Sequence, residues 1–222
     1  MGKVYVQPLT GAHPLETIGY EAGVCYGSDV TNKEKNYKRG KMNVASGHGR
    51  TLEFPQVYLT LEGYSARTIR QLYTHIGGQP TRLQASTRYI NYNNFKYVIP
   101  PSIEKNQKAN FIYKKLMDFI MRVFKILENY DIPKEDIANI LPLGMETKVV
   151  LRTNLRNLID MSHQRLCSRA YWEYRQMMKD IMQALSEYSP EWKEIVEAEF
   201  KPKCEICGYC TEHNSCGRKP KN

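Results

Sequence analysis

Val57-Tyr58-Leu59-Thr60-Leu61-Glu62-Gly63 alternates apolar and polar side chains, which is the period of a strand with one face buried, and Gly63 closes it. Downstream, Ser65 to Tyr73 reads as a short helix with Ser65 as its cap. Gly77, Gly78 and Pro80 then break the chain into a loop. A second strand is expected over Asn94–Ile99, closed by Pro100-Pro101. From Ile103 to Tyr130 the spacing is helical, with Ile112, Leu116, Phe119, Ile120, Val123 and Leu127 on the expected inward face. Asp131-Ile132-Pro133 ends that helix, and Pro133–Asp136 can open another short one. After the interruption at Leu141–Gly144, a long helical region is expected from about Arg152 to Tyr188. Leu155, Ile159, Leu166, Ala170, Met177, Ile181 and Leu185 point inward in this reading. Upstream of Val57 the chain is rich in Gly, Asn and Lys and lacks a long periodic pattern, so the basic stretch Asn32–Lys41 reads as a solvated surface turn. Early strands and late helices predict an α+β fold: one domain with a mixed or antiparallel sheet and long helices (residues 1–200), then a short Cys-rich tail (201–222).

The chain has 222 residues, 41% hydrophobic and 25% charged, a balance that excludes a disordered chain and allows one sizeable core. Its net charge of +9 suits an anionic partner, either nucleic acid or a small phosphorylated ligand. No apolar run approaches the length of a membrane span, and the start has no signal-peptide core, so a cytoplasmic protein is expected. Four of the six cysteines fall in the last twenty residues, which in a cytosolic chain suggests free thiols or a metal site before disulfides.

The densest group of functional side chains is Thr74–Tyr89, which holds His75, Arg82, Arg88, two loop glycines and several hydroxyls. Backbone N–H groups of such a loop can converge on one anion, and an arginine can grip two phosphate oxygens at once. A second group, Ser46–Glu53, places His48 and Arg50 just before the first strand. A third comprises Asn154, Arg156, Asp160 and Arg165; eleven residues separate Asn154 from Arg165, nearly a whole number of helical turns, so the two share a face.

Together, in this order and spacing, the three groups resemble the flavin-dependent thymidylate synthases over most of the chain. His75 and Ser86-Thr87-Arg88-Tyr89 match that family's Arg-His-Arg and Ser-x-Arg-Tyr signature, His48 and Glu53 its upstream Gly-His motif, and Asn154, Arg156 and Arg165 its helical Asn-x-Arg with a later Arg. The resemblance implies a methyltransferase that converts dUMP to dTMP, with methylenetetrahydrofolate as carbon donor and FAD, reduced by NADPH, as hydride source. It implies that Ser86, Arg88 and the backbone of Gln84, Ala85, Ser86 and Thr87 hold the dUMP phosphate, that Gln71 touches dUMP, and that Arg165 activates the uracil ring. Thr74, His75, Gln84, Asn154, Arg156 and Asp160 would contact FAD, with His48 near the folate or flavin. It also implies a homotetramer with shared active sites.

The chain departs from the pattern at four places. The triplet reads Thr74-His75-Ile76, without its two arginines, and the loop on to Ser86 is longer. Ala138 stands where a further phosphate-binding arginine is common, and Asp160 where an amide is preferred. Arg82, inside the longer loop, is a candidate to restore the lost charge at the dUMP site. The tail offers Cys204, Cys207, Cys210 and Cys216 as ligands for zinc, or as plain thiols. Two other readings stay open: a related flavin and folate enzyme leaving a hydroxymethyl group on the pyrimidine, and, less favoured, a basic nucleic-acid-binding protein with a zinc tail.

Overall fold

The computed structural model describes residues 2–221; Met1 and Asn222, the outer ends of the two expected segments, lie outside the described residues. In chain order the elements are β1 (Lys3–Val6), α1 (Pro14–Cys25), α2 (Lys33–Ala45), β2 (Gln56–Ser65), α3 (Ala66–Leu72), β3 (Thr81–Gln84), α4 (Pro101–Glu104), α5 (Gln107–Glu128), α6 (Lys134–Ile137), β4 (Glu146–Asn154), α7 (Leu155–Arg165), α8 (Trp172–Tyr188), α9 (Pro190–Glu199) and α10 (Lys203–Cys207). The four strands form one antiparallel sheet in the order β1-β2-β4-β3, and about half the chain is helical, which makes the fold α+β. No helix of the described residues is long and apolar enough to cross a membrane.

The alternation in β2 is realised, since Val57, Leu59 and Leu61 are fully buried. Ser65 caps α3 as expected, its Oγ accepting from Thr68 N at 3.2 Å. Asn94–Ile99 is not a strand. Tyr97 makes only an isolated bridge to Met145, and Pro100 follows at once. The pairing expected there belongs instead to β4, whose Thr147, Val149, Leu151 and Thr153 alternate inward. The long helical region therefore starts late, at Leu155, and it also breaks between α7 and α8. Tyr171 is extended, and Arg175 Nη1 donates to the carbonyls of Ser168 and Ala170 at 2.7 and 3.3 Å, tying down the loop that the broken helix leaves.

Packing divides the chain into two compact units. One holds the N-terminal residues through Lys3, Leu61–Leu72 and Leu83–Val149; the other holds Val4–Thr60, Tyr73–Arg82 and the chain from Val150 on. In the first, Tyr92, Phe95, Met117, Phe124, Ile137 and Met145 form the core. Here α5 turns Met117 and Phe124 inward, whereas Ile112, Leu116 and Phe119, expected inward, are exposed along with Phe111. The helix carries apolar side chains on more than one face, so spacing alone could not choose between them.

In the second unit the supposed surface turn is the helix α2, capped by Asn32, whose Oδ1 accepts from Lys35 N at 3.0 Å. Its buried residues are Asn36, Gly40, Asn43 and Val44, a face too polar to show hydrophobic periodicity. It meets α1 through glycine: a Cβ on Gly19 would lie 1.7 Å from the Asn36 carbonyl oxygen, and one on Gly40 1.9 Å from that of Leu15. Such backbone contact excludes any side chain at the crossing. The far side of α1 is tied to α9. Glu191 accepts from the N–H groups of Leu15 and Glu16 at 2.8 and 3.1 Å, satisfying donors that a helix start leaves open.

Candidate functional site

The face shared by Asn154 and Arg165 exists, and the loop after Tyr73 lies on it. Asn154 caps α7, its Oδ1 accepting from Asn157 N at 2.9 Å. Gly78 lies against the cap with φ +66°, and a Cβ there would come within 2.2 Å of Asn154 Nδ2. Arg152 Nη2 donates to Gln79 O at 3.1 Å and Thr81 Oγ1 at 3.2 Å, closing the loop from the strand side.

At the other end of α7, Arg165 Nε donates to His75 Nε2 at 2.9 Å, and Nη2 reaches Thr74 Oγ1 at 3.4 Å. The guanidinium lies over the Tyr174 ring, 4.7 Å from its centroid. His75 is buried and its ring is 5.8 Å from that of Tyr174. Burial first, and then the cations of Arg165 and Arg82, push the His75 pKa down to about 4. The imidazole is therefore neutral at pH 7, as an acceptor from Arg165 must be. Burial also pushes the Tyr174 hydroxyl far up, against the opposing pull of Arg165 and Arg82, so it too stays uncharged. The result is a cation held by three neutral groups.

Arg82 joins this group. It donates through Nη2 to the His75 carbonyl and stacks over Tyr73 at 5.2 Å. Its Nε is buried with no hydrogen-bond partner among the described residues. The longer loop thus brings a cation beside His75, next to the two positions where Thr74 and Ile76 carry no charge.

The Gly-His motif and the helical Asn-x-Arg also meet. Arg156 Nη1 bonds Glu53 Oε1 at 2.7 Å, and Arg50 Nη1 lies 3.4 Å from Glu53 Oε2. A Cβ on Gly49 would be 3.3 Å from Arg156 Cζ, so the glycine leaves that guanidinium uncovered. His48 is exposed, its backbone bonded to Asn43 O and Thr51. Asp160 is exposed and, with Arg165, lines a cavity of about 820 Å³ whose far wall is the tail.

In the first unit, Gln84 Nε2 donates to Thr147 Oγ1 at 3.3 Å and Ala85 N to Lys148 O at 2.8 Å, which fixes the end of β3. The chain then turns: Ser86 Oγ accepts from Arg88 N at 3.1 Å, and Ser86 O from Ile90 N at 3.3 Å. Ser86 and Thr87 are half-buried. Arg88 is exposed, pairs with Glu135 at 2.6 Å and lies over Tyr89 at 5.9 Å. Gln71 is half-buried near the end of α3, and Ala138 follows α6, the helix that carries Glu135. Sequence reasoning missed Tyr174, Tyr73, Arg152 and Asn157.

The α+β fold thus carries a half-buried arginine cluster around His75 and a Ser-x-Arg turn at the end of β3. The model of the family described as "Thymidylate synthase complementing protein" matches residues 10–191, and the chain belongs to that family. It is 30% identical over 214 residues to a flavin-dependent thymidylate synthase of Pyrococcus furiosus, covering 90% of this chain and 86% of that enzyme. A Pyrococcus abyssi enzyme of the same name is 32% identical over 211 residues, covering 90% and 85%. Among solved structures, thymidylate synthase X from Helicobacter pylori, crystallised with FAD and dUMP, shares the fold at a TM-score of 0.67 and 18% identity, over 89% of this chain and all of that one.

Proposed function

We infer that the chain is a flavin-dependent thymidylate synthase that reductively methylates dUMP, with methylenetetrahydrofolate as carbon donor and NADPH as reductant. The observation that carries the reading is Arg165, a cation fixed by neutral His75, Thr74 and Tyr174 rather than by a carboxylate. A carboxylate partner would cancel its charge, whereas neutral partners position it and leave the field intact. Placed against a uracil edge, such a charge favours the ring's N3-deprotonated, more nucleophilic form.

The Ser86–Arg88 turn supports a phosphate seat. Ser86 Oγ, nearby backbone N–H groups and Arg88 are the donor types that a phosphate dianion takes. Arg88 reaches a phosphate by leaving Glu135, a small loss because both groups are more than half exposed. Gln71, Gln84, Ala85 and Thr87 flank this seat in the same reading, and Arg82 supplies charge near His75.

A fit to FAD is supported at Arg156, whose side chain pairs with Glu53 yet is 49% exposed, beside a glycine whose Cβ would crowd its guanidinium. Arg156, Asn154, Thr74 and His75 would hold the cofactor, with His48 nearby. When bound, FAD supplies the hydride that completes the methyl group. Asp160 suits this set poorly, because an ionised carboxylate donates no hydrogen bond. The exposed face of α5, with Phe111, Ile112, Leu116 and Phe119, supports assembly into a homotetramer with shared sites. A cytoplasmic location and a catalytic part (1–200) followed by a tail (201–222) belong to the same reading.

The test is product mass. Purified protein given dUMP, methylenetetrahydrofolate, NADPH and FAD is expected to yield dTMP. A 5-hydroxymethyl product would point to the related hydroxymethylase, and no pyrimidine product at all would overturn the assignment.

A further inference from the structure

Five of the chain's six cysteines line the one 820 Å³ cavity at the end of α7: Cys167 from the body, and Cys204, Cys207, Cys210 and Cys216 from the tail. The thymidylate reaction as described above uses none of them. All are free thiols, and α10 packs against α7 to bring the two segments together. Cys210 is buried, Cys167, Cys204 and Cys207 are half-buried, and Cys216 is exposed. The backbone holds the tail in this shape: Gly208 takes the left-handed conformation, and Cys210 N donates to Pro220 O at 2.7 Å.

Two metal chemistries suit grouped thiolates, and they demand different spacings. Four thiolates on one zinc ion stand about 3.8 Å apart, given Zn–S near 2.3 Å. Among the described residues, the one group of three His, Cys, Asp or Glu with all ligand atoms within 4.8 Å of one another is His13, Glu16 and Glu191, so no three of the cavity's thiols are gathered at zinc spacing. An iron–sulfur cluster holds each cysteine on a separate iron and spreads its ligands around a larger body. The sequence agrees with the wider spacing. Cys204-x2-Cys207-x2-Cys210 is the run that supplies three cysteines to a four-iron cluster, with the fourth coming from elsewhere in the chain. The tail side of the cavity wall is also basic: Arg169, Lys203 and Arg218 stand against Glu212, which suits a cluster made net negative by its thiolates.

We propose that Cys204, Cys207 and Cys210 of the tail, with Cys167 of the body, bind a four-iron iron–sulfur cluster that clamps the tail beside Arg165. Cys167 is preferred to Cys216 as the fourth ligand because it is the more shielded and lies two residues from the end of α7. The proposal is independent of the thymidylate reading, since it concerns iron binding and not turnover.

The test uses full-length protein purified without oxygen and reconstituted with ferric iron, sulfide and a dithiol reductant, which brings part of the iron to the ferrous state. Iron and acid-labile sulfide are quantified, and electron paramagnetic resonance is recorded after dithionite reduction. About four iron and four sulfide per chain are expected, with a cluster signal on reduction. Cys207→Ser and Cys167→Ser should each lose most of the iron, whereas Cys216→Ser and Cys25→Ser should keep it; circular dichroism checks that each variant is folded. One zinc per chain without sulfide would overturn the cluster in favour of a zinc thiolate site. Thiols alone, with no retained metal after reconstitution, would overturn both. Full iron in Cys167→Ser with loss in Cys216→Ser would overturn the assignment of Cys167.

Discussion

The two regions around Arg165 and Arg88 are built in opposite ways. Around Arg165 the charge is held by a neutral buried His75, by Thr74 and by the face of a buried Tyr174, next to a loop seated on the cap of α7. Around Arg88 the charge is adjustable, because an exposed side chain sits on an exposed carboxylate at the edge of a turn. The difference teaches where each can act. A fixed dipole or charge lowers a barrier because it costs no reorganisation during the reaction. A mobile one suits capture of a ligand that must enter and leave.

The largest effect expected follows from removing the fixed charge. Arg165→Ala should lower kcat by about 100-fold or more, measured by dTMP formation at saturating dUMP. Next comes the support beneath it. Gly78→Ala introduces a Cβ 2.2 Å from Asn154 Nδ2 at a positive φ, and should cost about 1–3 kcal/mol of stability in denaturant unfolding. Gly77→Ala, whose Cβ would meet Asn157 Oδ1 at 3.1 Å without positive φ, should cost clearly less.

The third prediction concerns pH. The His75 pKa falls from 6.5 unfolded to about 4 folded. The unfolded chain therefore binds the proton first, and the stability that neutral His75 contributes is complete above pH 6.5 and is lost as pH falls towards 4. Thermal unfolding of the wild type should fall more steeply across that window than that of His75→Gln. The pH profile of kcat should also lack a histidine inflection near 6.5. The smallest effects belong to the adjustable region: Glu135→Gln should change stability by under about 0.5 kcal/mol and leave dUMP binding unchanged or slightly tighter.

The same contrast explains what was legible in the sequence. Where burial follows a simple period, as in β2, the residues announce the element. Where packing rests on backbone contact or polar caps, they do not. The α1–α2 crossing is made by Gly19 and Gly40, and the buried face of α2 includes Asn36 and Asn43, so no apolar stripe marks it. In β4 the run Val149-Val150-Leu151 passes straight into α7, and nothing before the Asn154 cap separates strand from helix by composition. The candidate side chains were legible as motifs. Their mutual arrangement was not, because His75 and Arg165 are ninety residues apart and meet only through the fold. Tyr174 and Arg82 could not be assigned partners from spacing at all.

The proposed roles of Arg165 and Arg88 are tested most directly by comparing dUMP with deoxyuridine, which lacks the phosphate. Dissociation constants of both ligands are determined for the wild type, Arg88→Ala and Arg165→Ala. Arg88→Ala should weaken dUMP about tenfold or more, the worth of a charge-assisted phosphate contact, while leaving deoxyuridine unchanged. Arg165→Ala should weaken both ligands by the same factor. Equal losses on both ligands in Arg88→Ala, or a loss confined to dUMP in Arg165→Ala, would contradict a fixed charge for the base and an adjustable one for the phosphate.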